Sequence, residues 1–405
     1  MNLKMNPKVA VATRRAANAK IYWICLRRQE EMCMSDSLNS TNEQVQNTPG
    51  TAAQGAGTQG VAPQAIAPQG VAPQNAVPQG GAPQSAVSQN KAPQNPRGNF
   101  PASYERACGK PSDHWLPACI ISSVLLIVGG GILQLFYMMF GIEYDFDNFA
   151  KSADASGITY QGFMFLMYFS FVGIWILTLI WMMIRRGERP LFRFMKLNER
   201  GNRFSWMLVA LLTGFAANAL CILGAAAFGN VNLEYASPEY HWILLIFLAV
   251  VIQSGAEELV CRGYLFFKLR RRYKNPWVAI LVNTAIFTVM HFANGGLNIW
   301  SVLELITVGI FLSLLVHYFD SFWGAVLFHT GWNFTQNILF GLKNSGAEAL
   351  YSVYRQTGES KSGFFYDNAF GVEGSPSSIL VIGLLIVVMV VYIRAKDIKP
   401  VDYWE

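Results

Sequence analysis

Residues 242–269 read WILLIFLAVVIQSGAEELVCRGYLFFKL. An apolar run of this length is a candidate membrane-spanning helix, because about 20 residues at 1.5 Å each cross a hydrocarbon core. Its centre nevertheless carries Glu257, Glu258 and Arg262. A charge at mid-bilayer costs about 2.5–3.5 kcal/mol, so the three unpaired would cost on the order of 8–10 kcal/mol. Glu258 and Arg262 lie four residues apart on one helix face and can pair. Glu257 is turned about 100° from Glu258 and needs a partner on another helix.

The rest of the chain has the same apolar character. Of 405 residues, 52% are hydrophobic and 14% charged, against about 25% charged in soluble domains, which excludes a water-soluble enzyme. Eight long apolar runs lie at about 115–140, 162–184, 204–228, 242–269, 277–293, 301–318, 322–340 and 378–394. Those at 277–293 and 322–340 are less purely apolar, as expected of helices that face other helices. The predicted fold class is therefore all-α: a polytopic membrane bundle of about eight transmembrane helices with a disordered N-terminal arm.

The net charge of +6 sits entirely in that arm: residues 1–112 hold 11 Lys/Arg and 5 Asp/Glu, residues 113–405 hold 20 of each. No stretch concentrates Lys/Arg with aromatics on a foldable polar surface, so no nucleic-acid partner is expected. Residues 1–34 form a basic segment that a start at Met32 or Met34 would leave untranslated. Residues 35–112 form an Ala-Pro-Gln-rich linker, with proline at 63, 68, 73, 78, 83 and 93, too polar to fold on its own. The membrane domain spans 113–394 and a cytoplasmic tail 395–405. The six cysteines show no C-x-x-C spacing, so neither a disulfide framework nor a zinc ribbon is indicated.

Short loops rich in Lys/Arg face the cytoplasm. Arg185 to Arg203, Lys268 to Lys274 and Arg394 to Lys399 mark such loops, whereas the loop holding Glu143, Asp145, Asp147 and Asp154 has only Lys151. Both termini then lie in the cytoplasm of a multi-pass cell-membrane protein, and the run of basic residues at 270–274 reflects this topology.

Partners for Glu257 are found in Phe287-Thr-Val-Met-His291 and His329-Thr-Gly-Trp-Asn333. Glu257 lies about 20 Å above Arg270 and His291 about 21 Å above Trp277 at 1.5 Å per residue, so they come out level. His329 and Asn333 share a face about 11 and 17 Å above Phe322. A buried Glu can act as general base on a water, with His helping to polarise it, and an amide with a second His can stabilise an oxyanion. Glu257, His291 and His329 could instead hold a divalent metal such as zinc, although no compact metal motif is present. The cavity such helices enclose is expected to open toward the cytoplasm. Glu304 and His317, near the two ends of the sixth run, are expected to reach the interface as structural residues.

These three motifs, in this order on successive spans, resemble the CPBP family: CAAX prenyl endopeptidases and their bacterial relatives linked to bacteriocin processing or immunity. The resemblance covers about residues 113–394, and the segment Phe370-Gly-Val-Glu-Gly374 is similar to one found in prokaryotic members. It implies an intramembrane endopeptidase of the glutamate type, or a metalloprotease, that cuts near the cytoplasmic membrane face. By that resemblance Glu257 and His291 activate the water, His329 and Asn333 form the oxyanion site, and Glu258 with Arg262 holds the helix. No cofactor is required. The substrate is a protein or peptide, membrane-anchored or lipidated among the options, and a bacterial source is expected from the family variant. Two readings of other classes use the same residues: a proton-coupled transporter with Glu257 and His291 as relay, and a non-proteolytic immunity or scaffold protein.

Overall fold

The computed structural model describes residues 111–142 and 148–401. The basic segment 1–34, the Ala-Pro-Gln linker up to residue 110, Glu143, Asp145 and Asp147 of the acidic loop, and residues 402–405 of the tail lie outside the described residues. Among those described, seven helices are long and apolar enough to cross a membrane.

The first is α1 (Trp115–Met139). A short helix α2 (Phe149–Ser156) follows, capped by Asn148, whose Oδ1 accepts from the Lys151 amide at 2.9 Å. The second span breaks at Ser170 and Phe171 into α3 (Tyr160–Phe169) and α4 (Val172–Ile184). The third is α5 (Phe204–Ala227). The fourth begins as α6 (Tyr240–Glu258), widens into a π-helical segment Leu259–Leu265, and resumes as α7 (Phe266–Arg272). Residues Tyr240–Arg272 form the most buried span, so the helix with the charged centre is also the central one.

Helix α8 (Pro276–Met290) starts on an Asn275 cap with Pro276 at its first position, where proline's missing N–H costs nothing. It ends in a single 3-10 turn, His291–Ala293. Helix α9 (Ile299–Phe319) opens with a capping box between Asn298 and Ser301. After α10 (Phe322–Asn333) and a second π-helical segment, Phe334–Leu339, a long loop leads to the last span, α11 (Pro376–Ala395). That loop carries β2 (Tyr354–Gln356), which pairs antiparallel with β1 (Leu233–Tyr235).

The run at 322–340 is the one of the expected eight that is not among the seven apolar spans. It is a polar helix inside the bundle, packed against α5, α6 and α9. Thr330, Asn333, Thr335, Gln336 and Asn337 on it are all buried. Its contact with α5 is backbone to backbone: a Cβ on Gly214 would collide with the Phe328 carbonyl oxygen, and one on Gly331 with that of Leu211. Small residues at such a crossing are the usual means of close helix approach in membranes.

The basic stretch at the end of α7 does more than mark topology. Lys268 and Arg271 are buried, and both pair with Asp113 and Glu188: Lys268 Nζ lies 3.0 Å from Asp113 and 2.9 Å from Glu188, and Arg271 Nη2 lies 2.6 Å from Asp113 and 3.2 Å from Glu188. Two acids and two bases thus join the entry to α1, the turn after α4 and the end of α7. His317 is likewise buried instead of interfacial, and its carbonyl accepts from the Val401 amide at 2.8 Å.

Candidate active site

The motif residues come from three spans: the fourth, the end of α8 and α10. The fourth span puts Glu257 and Glu258 at the last turn of α6 and Arg262 in the π-helical segment. Arg262 Nη1 donates to Glu258 Oε1 at 2.8 Å, Nη2 donates to the Gly309 carbonyl at 3.3 Å, and the guanidinium sits 4.3 Å from the Phe287 ring centre. The i,i+4 pair read from spacing therefore forms, with Phe287 as its apolar cover.

Glu258 does a second thing. Its Oε1 also accepts from His329 Nδ1 at 3.1 Å, so the carboxylate fixes both the ring's orientation and its tautomer. The other ring nitrogen, Nε2, then lies 3.8 Å from Glu257 Oε2. Glu257 is held from the opposite side: Gln253 Nε2 donates to its Oε1 at 2.6 Å, while Gln253 Oε1 accepts from Asn333 Nδ2 at 3.0 Å and from Ser254 Oγ at 3.2 Å. Glu257 Oε2 is buried and receives no hydrogen bond from a described residue.

His291 closes the set from the end of α8. Its Nδ1 lies 2.8 Å from the Phe287 carbonyl oxygen, and its ring packs 4.9 Å from that of Phe287, whose other side faces His329 at 6.0 Å. Phe287 thus packs against both imidazoles as well as the Arg262 guanidinium. Glu257, His291, His329, Asn333 and Gln253 all line one cavity of about 530 Å³, completed by Asn294 to Gly296 and by Lys343 to Glu348.

Of the two histidines read as candidate partners of Glu257, His329 is the one that comes within 3.8 Å of its carboxylate. The cavity opens at the other end of the bundle from the one expected. Its loop residues follow α8 and α10, both of which start beside the basic end and run away from it. Counting His291 upward from Trp277 carries it past the last residue of α8, so the site looks toward the far surface and away from Lys268 and Arg271.

Glu304, expected at the interface, is only 2% exposed. It lines a second, smaller cavity of about 20 Å³ together with His291, His329 and Glu373. The cause is cover on one face: α9 packs against α8, α11 and the turn Val372–Gly374, which bury Ser301, Glu304 and Leu305 while Ile299, Trp300 and Leu303 on the other face stay exposed. Gln253 carried a usable signal, being a polar residue one turn before Glu257 in an apolar run. Glu373 lies in a loop, where spacing gives no signal, and only the family-like segment Phe370-Gly-Val-Glu-Gly374 singled it out.

Among the described residues no group of three or more His, Cys, Asp or Glu is drawn together as a metal cluster with the side chains as they stand. Gln253 holds one oxygen of Glu257, and Glu258 and the Phe287 carbonyl each hold one ring nitrogen of His329 and His291, which leaves Glu257 Oε2 and the two Nε2 atoms without a hydrogen bond among the described residues.

Residues 239–335 match the family model described as type II CAAX prenyl endopeptidase Rce1-like. That stretch contains Glu257, Glu258, Arg262, His291, His329 and Asn333, in agreement with the CPBP resemblance carried by the motifs. The chain is also similar to the uncharacterized protein YyaK of Bacillus subtilis (strain 168), 26% identical over 201 residues. The match covers 45% of this chain and 63% of that protein, so less than two thirds of the relative's length is spanned. No solved structure matches.

Proposed function

We propose that this protein is an intramembrane endopeptidase in which Glu257 takes a proton from a water molecule that attacks a peptide carbonyl. The observation that carries the reading is the pair formed by Glu257 Oε2 and His329 Nε2, 3.8 Å apart on the cavity wall, with the carboxylate oxygen free of other hydrogen bonds among the described residues. A water beside these two atoms can hydrogen-bond both.

The roles follow from the geometry. Gln253 fixes one oxygen of Glu257, so the other is aimed as the base. Glu258 holds the His329 Nδ1–H, which directs Nε2 at the water. His291 and Asn333 face the same cavity and are assigned to the developing oxyanion; Asn333 uses one amide hydrogen on Gln253 and retains its second. The proton on Glu257 then passes to the leaving amine. This reading uses no metal. The substrate is a protein or peptide, membrane-anchored or lipid-modified. With the Lys/Arg-rich loops and both termini in the cytoplasm of a bacterial cell, cleavage takes place toward the opposite surface of the membrane.

The test compares membrane and released peptides from cells carrying the wild-type protein with cells carrying Glu257→Ala at equal expression. Uncut proteins that accumulate in the variant and share a feature at the cut site support the reading and reveal the substrate. Identical profiles, with any phenotype still requiring the protein's presence, overturn it in favour of a scaffold or immunity role.

A further inference from the structure

His291 has a requirement that the residues assigned above do not meet. Its Nδ1 lies 2.8 Å from the Phe287 carbonyl oxygen, and because a carbonyl only accepts, Nδ1 carries a hydrogen. The neutral ring then has only a lone pair at Nε2. It can donate to an oxyanion there only after a second proton arrives.

Behind His291 and His329 lies the cavity of about 20 Å³, room for a single water molecule. Glu304, Glu373, Asn333 and Ser345 supply the rest of its polar wall, and no Lys or Arg lines it. The two carboxyl groups differ in their surroundings. Glu373 Oε1 accepts from Trp332 Nε1 at 3.1 Å, and Oε2 accepts from the Ser345 amide at 2.6 Å and hydroxyl at 2.7 Å. Glu304 reaches the cavity from α9 and receives no hydrogen bond from any described residue. Two buried carboxylates facing one space without a cation cannot both ionise, and three donors favour the charge on Glu373. Burial holds the Glu373 carboxyl above its ordinary value even though the Ser345 and Trp332 bonds and charge on His291 pull it down, so one proton belongs to the pair, and the donors on Glu373 place it on Glu304.

We propose that Glu304 and Glu373 hold one proton and one water molecule between them behind His291, and that Glu304 is the acid that protonates His291 during hydrolysis. Glu304 O–H gives its proton to the water, and the water passes one of its own to His291 Nε2. The water is regenerated, Glu304 becomes a carboxylate, and His291 becomes an imidazolium whose positive charge, on the wall both cavities share, stabilises the oxyanion. Collapse of the tetrahedral intermediate returns the proton along the same route. The catalytic role rests on the endopeptidase reading, whereas the shared proton does not.

Infrared spectra of the full chain in detergent at neutral pH, recorded in H2O and D2O, test the pair without any substrate. The expected result is a carboxylic-acid C=O band that shifts in D2O, disappears in Glu304→Gln and is displaced in Glu373→Gln. A band that survives Glu304→Gln unchanged, or a wild type with none, overturns the proposal. Should Glu304→Gln fail to fold, Glu373→Gln decides: displacement supports the shared proton and an unmoved band refutes it. Because Glu257→Ala removes cleavage while keeping this band, failure of the protease reading and failure of the carboxyl pair are told apart.

Discussion

Glu258 holds His329: its Oε1 lies 3.1 Å from the ring Nδ1, bridging from the last turn of α6 to the polar helix α10. The same oxygen takes the Arg262 guanidinium at 2.8 Å, so one carboxylate both neutralises a buried cation and orients an imidazole. The two duties can be separated. Glu258→Leu alone strands Arg262 and is expected to lower stability by about 3–5 kcal/mol, whereas Glu258→Leu with Arg262→Met removes the pair and recovers most of it. The double variant still leaves His329 unheld, so thermal unfolding in detergent should return toward wild type while cleavage does not.

Glu257→Gln keeps the shape and the Gln253 contact but removes the base. Cleavage should fall by about 10²–10⁴-fold, the range of a general base, with unfolding unchanged. Equal rates of substrate loss in wild type and variant would remove Glu257 from the chemistry.

Gln253→Leu tests positioning. It leaves Glu257 present but frees the oxygen that Gln253 holds at 2.6 Å, and it also releases the Asn333 amide. Misplacement of a catalytic group by an ångström costs about 10²-fold, so a loss of that order is expected, and Gln253→Glu should not restore it because a carboxylate cannot donate to Glu257. Initial rates on the natural substrate, once identified, make the comparison.

Gly331→Val and Gly214→Val test the close crossing of α5 and α10. Each added side chain meets a carbonyl oxygen of the facing helix, and overpacking of this kind costs about 1–3 kcal/mol. Lower thermal stability of the purified protein is expected from both, with the Gly131→Val variant, whose Cβ meets nothing within 4 Å, as the silent control.

The buried network at the basic end gives a pH dependence. Burial pushes the Asp113 carboxyl up, but the Arg271 hydrogen bond and charge, with Lys268, hold it below its ordinary value. A carboxylate with a depressed folded pKa adds stability that is present above its unfolded value, about 3.9, and lost as pH falls through the folded one. Wild-type stability should therefore drop below about pH 4, and Asp113→Asn, already weakened, should show a flatter profile there. Chemical or thermal unfolding across that interval measures both.

Much of this arrangement was legible in the sequence, because intramembrane charge is costly enough to be informative. The lengths of the apolar runs placed the spans, and the four-residue spacings placed Glu258 beside Arg262 and His329 near Asn333 in sequence terms alone. What spacing could not show was which helices cover which. Glu304 looks interfacial on a linear map, and only the packing of α8, α11 and the Val372–Gly374 turn buries it. Lys268 and Arg271 look like topology markers until Asp113 and Glu188, from two distant turns, are seen against them. The depth comparison set Glu257 level with His291, and both line one cavity; what it did not show is that α8 stops at Met290, so that His291 stands at the end of its helix.

The π-helical segment Leu259–Leu265 separates two charged clusters on one continuous span: Glu257 and Glu258 before it, Lys268 and Arg271 after it. A π turn holds more residues than an α turn, so each one it takes in shifts the angular phase of everything downstream by on the order of 100° against a plain α-helical count. A helical wheel drawn with a single period would therefore aim only one cluster correctly. The widened turn works as a phase adjuster, letting a single rod turn Glu257 to the cavity and Glu258 to His329 before it, and Lys268 and Arg271 to Asp113 and Glu188 after it.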